Sequence, residues 1–102
     1  MTDDARHARA FRALAHPRRM KLFRLLAENP DRGRSILTLY DAARIPEASF
    51  RHHLAEMERA GLLRRKRRGR EVAAVLTPLA LRAAMGTADL LLHRLAAPRR
   101  VA

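Results

Sequence analysis

The sequence contains no cysteine among its 102 residues. Disulfide bonds, thiolate metal sites and thiol-based redox sensing are therefore excluded. Aromatic residues account for only 4% of the chain. This scarcity argues against base recognition in single-stranded nucleic acid, because that recognition stacks bases on aromatic side chains.

Long apolar segments are also missing. The longest candidate, residues 79–97, is interrupted by Arg82, Asp89, His93 and Arg94, which is incompatible with a plain membrane-spanning helix. The opening segment MTDDARHARAF carries two acids and lacks the apolar region of a secretory signal. The sequence therefore predicts a cytoplasmic protein without a membrane segment.

Acidic residues are scarce relative to basic ones. The chain has 22 Lys and Arg against 10 Asp and Glu, a formal net charge of +12. Such an excess favours a polyanionic partner, either nucleic acid or an anionic membrane surface, and composition alone leaves both open. The acids are scattered, and neither a serine, histidine and acid cluster nor a glycine-rich phosphate loop is present. No enzymatic activity is predicted.

The chain is predicted to form one domain, residues 1–102, because it is short and has no evident linker. Residues 5–15 are predicted to form its first helix, since Ala8, Phe11 and Ala15 recur at helical spacing.

Two further helices are predicted before residue 44. Pro17 opens the second, because proline fits the first helical position, and this helix ends near Asn29. Its predicted inward side chains are Met20, Phe23, Leu26 and Ala27. The segment NPDRGRS then has turn composition, and Ser35 is predicted to cap a short third helix over residues 36–43.

A fourth helix is predicted over residues 47–60, after Pro46 and before Gly61, which suits a C-terminal cap. Its apolar residues fall on one face and are predicted to be buried: Phe50, Leu54 and Met57. The opposite face carries small and hydrogen-bonding side chains: Ala48, Ser49, Arg51, His52, Ala55 and Arg59. A helix fits the major groove of duplex DNA, where arginine can pair with O6 and N7 of guanine.

Five consecutive basic residues follow at positions 64–68, and Gly69 and Arg70 come next. Residues 62–63 and 72–76 are predicted as two short strands, so the basic segment becomes the tip of a hairpin. These like charges repel one another, and binding the phosphates of a nucleic acid relieves the repulsion. The alternative interpretation is an ordinary solvated hairpin whose basic residues bind nothing. The predicted phosphate contacts are Arg64, Arg65, Lys66, Arg67, Arg68 and Arg70.

The last predicted helix spans residues 79–97 and carries two apolar stripes. Residues spaced 4, 3, 4 and 3 apart form a seam that suits packing against another helix: Leu81, Met85, Ala88, Leu92 and Leu95. The second stripe, on another side, consists of Leu79, Ala83 and Leu90. Two stripes predict burial against both the chain's own domain and a second copy, with a central helix of a monomer as the alternative.

The order of short helix, tight turn, helix and basic hairpin is that of a winged helix-turn-helix domain. Two segments, ALAHPRRMKLFRLL (13–26) and IPEASFRHHLAEMERAGLLRRKRRGREVAAVLTP (45–78), together resemble the ArsR family of bacterial transcription regulators. The resemblance implies a mainly α fold of about five helices with a small two-stranded β wing. The implied parts are a helix-turn-helix at 36–60, a wing at 62–76 and dimerisation by 5–15 and 79–97, with Phe11 at the dimer interface.

The resemblance also implies roles for single residues. The helix matching residues 47–60 contacts base edges and phosphates in that family, and its first turns here hold Ala48, Ser49, Arg51 and His52. His53 and Leu54 match a usual His-Leu pair, in which Leu54 belongs to the core. His53 is expected to be either a partly buried hydrogen-bonding residue or a DNA contact. Arg44 stands where relatives commonly have a turn glycine, so an altered turn is expected.

Some ArsR relatives hold zinc on the last helix through Asp and His, so the same residue types in this chain are candidate metal ligands. Asp89 and His93 form an i, i+4 pair here. The closely spaced Asp-x-His of those relatives is missing, and Arg82 on the same strip repels a cation. Neither a metal nor another cofactor is predicted, and the pair is interpreted as a surface hydrogen bond or ion pair.

The sequence thus predicts a dimeric regulator, a repressor by family habit, that binds double-stranded DNA at a palindromic operator. Two alternatives stay open. One is an unspecific binder of DNA or RNA, and the other is a winged-helix module that docks another protein on the two-sided last helix.

Overall fold

The computed structural model describes residues 1–96, which form five helices and three strands. The elements in chain order are α1 (Asp3–Leu14), α2 (Pro17–Ala27), β1 (Arg34–Ser35), α3 (Ile36–Ala43), α4 (Glu47–Arg59), β2 (Leu63–Arg68), β3 (Glu71–Leu76) and α5 (Leu79–Ala96). The predicted end of the last helix at residue 97, and the tail after it, lie outside the described residues.

Local capping explains where the first three helices begin. Thr2, His16 and Ser35 each accept a backbone N–H of the following turn through their side chains. The predicted starts at Pro17 and after Ser35 are therefore confirmed, whereas α1 begins two residues before the predicted start because Thr2 is its cap.

The end of α4 is a Schellman motif, in which two backbone N–H groups beyond the helix satisfy carbonyls of its last turn. Gly61 N donates to Glu58 O over 3.0 Å and Leu62 N donates to Met57 O over 2.9 Å. Gly61 has φ +76°, a left-handed conformation that glycine adopts without steric cost. The predicted role of Gly61 in ending the helix is confirmed.

The core lies where α2, α3 and α4 meet the base of the hairpin. Its largest fully buried side chains are Leu22, Leu26, Leu39, Leu54, Met57, Leu62 and Leu63. The predicted inward face of α2 is wrong in two positions, since Met20 and Ala27 are exposed and Leu22 is buried instead. A helical pitch of 3.6 residues places Leu22 and Leu26 on one line, and that line faces α3 and α4.

The sheet has one more strand than predicted. Its order is β1-β3-β2, with both pairs antiparallel, and β1 pairs through Arg34 with Ala74 and through Ser35 with Ala73. A strand of two residues shows no alternation for a sequence pattern to reveal. Gly33 permits this pairing, because a Cβ there would lie 1.8 Å from the carbonyl oxygen of Ala74.

The predicted cationic hairpin tip is wrong, because the basic residues form β2 itself. The chain turns at Gly69 and Arg70, and residues 64–67 lie opposite Val75, Ala74, Ala73 and Val72 of β3. Arg68 lies opposite Glu71. Across the ladder, each of these cations thus lies opposite an apolar residue or an acid. No cation lies opposite another cation, and for this reason one strand can hold so many like charges.

Candidate nucleic-acid interface

The outer face of α4 carries the residues predicted to contact DNA. Ala48, Arg51 and His52 are exposed and Ser49 is half-buried. The other face of α4 holds Phe50, His53, Leu54 and Met57, all buried. The sequence periodicity therefore separated the two faces of this helix correctly.

Two polar side chains on this face have fixed partners. Arg51 Nη2 donates to Glu47 Oε1 over 2.7 Å, one helical turn away. Arg18 Nη1, from the first turn of α2, donates to Ser49 Oγ over 2.7 Å. The spacing of four residues between Glu47 and Arg51 is a signal that the sequence offers. Sequence reasoning missed Arg18, because its contact spans 31 residues and leaves no local pattern.

A groove of about 830 Å³ separates α4 from the hairpin. Arg51 borders it on the α4 side, and Arg65 and Arg70 border it on the hairpin side. Arg65 Nε also donates to Glu58 Oε1 over 3.2 Å, which ties β2 to α4. One side of α4, with Glu47, Arg51 and Ala55, and part of the basic hairpin therefore line the same groove.

The six predicted phosphate contacts do not all point the same way. Successive side chains of a strand project to opposite faces, so Arg65 and Arg67 share one face of β2, and Arg64, Lys66 and Arg68 share the other. Arg68 is half-buried, and the other five cations are exposed. The face of Arg65 is the one next to the groove.

Comparison with known proteins agrees with this geometry. A family model described as a helix-turn-helix domain matches residues 14–66. The chain belongs to this helix-turn-helix family. The predicted resemblance to ArsR-family winged helix-turn-helix regulators is confirmed by this match and by solved structures of the same fold. No curated protein sequence matches the chain.

Three solved structures illustrate the fold of this helix-turn-helix chain. An ArsR family transcriptional regulator, RHA00566, is 19% identical with a TM-score of 0.77, covering 94% of this chain and 96% of that one. The homodimeric winged helix-turn-helix DNA-binding domain Mb0332 from Mycobacterium bovis is 21% identical with a TM-score of 0.65, covering 95% and 89%. The transcriptional repressor BigR from Xylella fastidiosa is 22% identical with a TM-score of 0.62, covering 90% and 87%.

His53 of this helix-turn-helix protein lies on the buried face of α4, behind the residues predicted to contact DNA. It is 6% exposed, and its Nδ1 accepts a hydrogen bond from Arg19 Nε over 3.0 Å. Burial, followed by the nearby His16, Arg19, His52 and Arg18, lowers the pKa of His53. Of its two expected roles, the structure favours the buried hydrogen-bonding one.

The surface formed by α1 and α5 carries the predicted dimer contacts. The two helices pack against each other, and α1 turns Ala10 and Ala13 inward while Phe11 stays exposed. On α5, Ala84 is buried and Leu81 and Ala88 are half-buried. Met85, Leu92 and Leu95 are exposed at 54%, 62% and 81%. The second stripe, Leu79, Ala83 and Leu90, is exposed too, so α5 packs on the chain's own domain through Ala84 and, in part, through Leu81 and Ala88.

The remaining sequence candidates lie on α5. Asp89 and His93 are both exposed. Within residues 1–96, no group of three or more histidine and acidic side chains is arranged to hold a metal ion. No helix in this part of the chain is both long and apolar enough to cross a membrane.

Proposed function

We propose that the chain is a homodimeric transcription regulator that reads a specific DNA sequence with α4 and holds the flanking backbone with its hairpin. The observation that carries the proposal is the groove shared by Arg51 of α4 and Arg65 and Arg70 of the hairpin. When α4 lies in the major groove, the adjacent DNA backbone runs between α4 and the hairpin. It then has Arg51 on one side and Arg65 and Arg70 on the other.

In this proposal α4 supplies the sequence preference. Arg51 is exposed on its second turn and can reach O6 and N7 of a guanine with paired hydrogen bonds. Ala48, Ser49 and His52 contact neighbouring base edges or phosphates. The hairpin cations contribute affinity without sequence preference, because phosphates are alike at every step.

Dimerisation through α1 and α5 completes the proposed function. The exposed apolar residues of the seam need a partner, and a second copy supplies the same surface through a two-fold axis. The homodimeric relative from Mycobacterium bovis and the repressor from Xylella fastidiosa support a dimer that represses transcription. A two-fold dimer requires a palindromic operator, with half-sites about one helical turn apart. We place this regulator in the bacterial cytoplasm, where it meets the genome.

Selection of bound fragments from the genome of the source organism tests the proposal. We expect one palindromic motif to be enriched, with a footprint of two half-sites on one side of the duplex. Binding all fragments equally well would replace the proposal with unspecific nucleic-acid binding. Binding no DNA would favour the protein-docking alternative, in which the exposed leucines of α5 contact another protein.

A further inference from the structure

The first turn of α2 contacts the flank of α4 beside the proposed DNA surface. Arg18 donates to Ser49 Oγ over 2.7 Å and Arg19 donates to His53 Nδ1 over 3.0 Å. The rings of His16 and His53 also approach, with centroids 4.3 Å apart. One flank of α4 is therefore fixed by a helix outside the helix-turn-helix, and the half-buried Ser49 is the α4 residue that Arg18 contacts.

The guanidinium of Arg18 is free of other structural duties in the described part of the chain. Its backbone N–H, not its side chain, donates to His16 Nδ1 over 3.0 Å and so completes the cap of α2. Replacement of the Arg18 side chain leaves this cap in place. The side chain is exposed, so no core packing depends on it.

The contact with Arg18 determines how Ser49 can bond to anything else. A hydroxyl has one hydrogen to donate and two lone pairs that accept. A guanidinium only donates, so Ser49 Oγ is the acceptor here, and the nearby positive charge turns the hydroxyl hydrogen away from Arg18. The hydrogen bonds found within residues 1–96 give that hydrogen no protein acceptor. Ser49 therefore offers an outward donor.

We propose that Arg18 is a positioning residue that makes Ser49 a hydrogen-bond donor toward a base edge, so that the operator disfavours cytosine at the contacted position. Guanine, adenine and thymine each present an acceptor in the major groove, whereas cytosine presents only its N4 amino donor. This inference rests on the proposed entry of α4 into the major groove. Without Arg18, the Ser49 hydroxyl rotates freely and accepts from cytosine equally well.

Phosphate oxygens also accept hydrogen bonds, so the test has to distinguish a contact of Ser49 with a base from a contact with a phosphate. The base preference is measured by selection from operators with randomised half-sites, for the wild type, Ser49→Ala, Arg18→Ala and Arg18→Lys. We expect S49A and R18A to lose discrimination against cytosine at the same single position, by a few-fold to about tenfold. R18K retains it, because Nζ can donate to Ser49 Oγ. Arg24→Ala is the matched control, since it removes another exposed arginine of α2.

Several results would overturn the inference. If R18A weakens binding to every sequence alike and keeps the wild-type preference, Arg18 and Ser49 serve a phosphate. If S49A changes the preference and R18A does not, Arg18 has no positioning role. Thermal unfolding of each variant shows that the comparison is made on folded protein. A wild type that enriches no motif defeats the proposed function itself, whereas a clear wild-type motif unchanged in R18A defeats only this inference.

Discussion

Arg44 is the residue at which the chain departs most clearly from local preference. It joins α3 to α4 with φ 56° and ψ 45°, and it is the one non-glycine residue with positive φ among residues 1–96. An L-residue with a Cβ pays about 1 to 2 kcal/mol for this left-handed conformation. Arg44 thus adopts the left-handed backbone that suits a glycine, so the structure does not support the altered turn expected from the sequence.

Arg44→Gly is expected to stabilise the protein. Glycine removes the steric cost of the left-handed conformation, and this gain exceeds the cost of the extra conformational entropy that glycine gives the unfolded chain. The free energy of unfolding should rise by about 0.5 to 1 kcal/mol. Thermal or urea unfolding measures the gain. Arg9→Gly, within α1 at an exposed site, is the matched control and is expected to lose about 1 kcal/mol. An R44G protein no more stable than the wild type would show that the turn is unstrained.

His53 is expected to make stability depend on pH. Because burial and neighbouring positive groups lower its pKa below the ordinary 6.5, the unfolded chain takes up a proton at a pH where the folded protein does not. The free energy of unfolding therefore falls as pH drops below about 6.5, until the folded protein binds the proton as well. His53→Gln keeps an acceptor for Arg19 and removes this proton site.

Unfolding in urea between pH 7.5 and pH 5 measures this dependence. The loss of stability toward acid is expected to be smaller in H53Q than in the wild type. His93→Gln, at an exposed histidine of α5, is the control and should behave as the wild type does. Equal slopes in all three proteins would contradict the assignment to His53.

At the scale of elements, the structure differs from the sequence prediction at β2, where the basic residues form a strand and not the tip of a hairpin. A run of cations looks like a loop in sequence because charge is rare in strands. Pairing with β3 overrides that preference, since the partner residues are small or acidic and the inner end of the strand, Leu63, joins the core. The cations are consequently held in two opposed rows.

The two rows are expected to differ in DNA binding. Arg67→Ala removes one cation per subunit from the row that faces the groove, so the slope of log K against log salt should flatten by about 2 for the dimer. Lys66→Ala removes the same charge from the opposite row and should change the slope less. Binding isotherms at several salt concentrations give both slopes. Equal flattening would mean that DNA contacts both faces of the hairpin.

At the scale of the whole molecule, α1 and α5 expose several large apolar side chains on the surface proposed to form the dimer: Phe11, Met85, Leu92 and Leu95. Leu92 is the fourth of the five seam residues and is 62% exposed. Leu92→Glu places one carboxylate of each subunit at the proposed two-fold interface and removes the two leucines that the proposed dimer buries there, so the dimer dissociation constant should rise about 100-fold or more.

Sedimentation equilibrium checks this prediction, and operator affinity should fall in parallel because one subunit contacts only one half-site. Leu37→Glu, at a leucine of α3 that is 70% exposed, is the control and should leave the dimer intact. A dimeric L92E protein would show that the interface lies elsewhere.

The sequence by itself determined the elements whose signals are local. Prolines, capping side chains and Gly61 mark the helix ends within a few residues of each boundary, and helical spacing separates the two faces of α4. Net charge and the lack of cysteine limited the possible partners in the same way. The helix signals act through neighbours along the chain and the charge and cysteine counts are totals over it, so neither needs knowledge of the fold.

Only the tertiary structure decided the features that join distant segments. The pairing of β1 with β3, the burial of Leu22 in place of Met20, and the bond from Arg18 to Ser49 all depend on elements meeting in space. Packing selects one of several apolar stripes on a helix, and a hydrogen bond across 31 residues leaves no periodicity behind. For that reason the outer face of α4 was predictable from the sequence, whereas the contact of Arg18 with Ser49 on that helix was not.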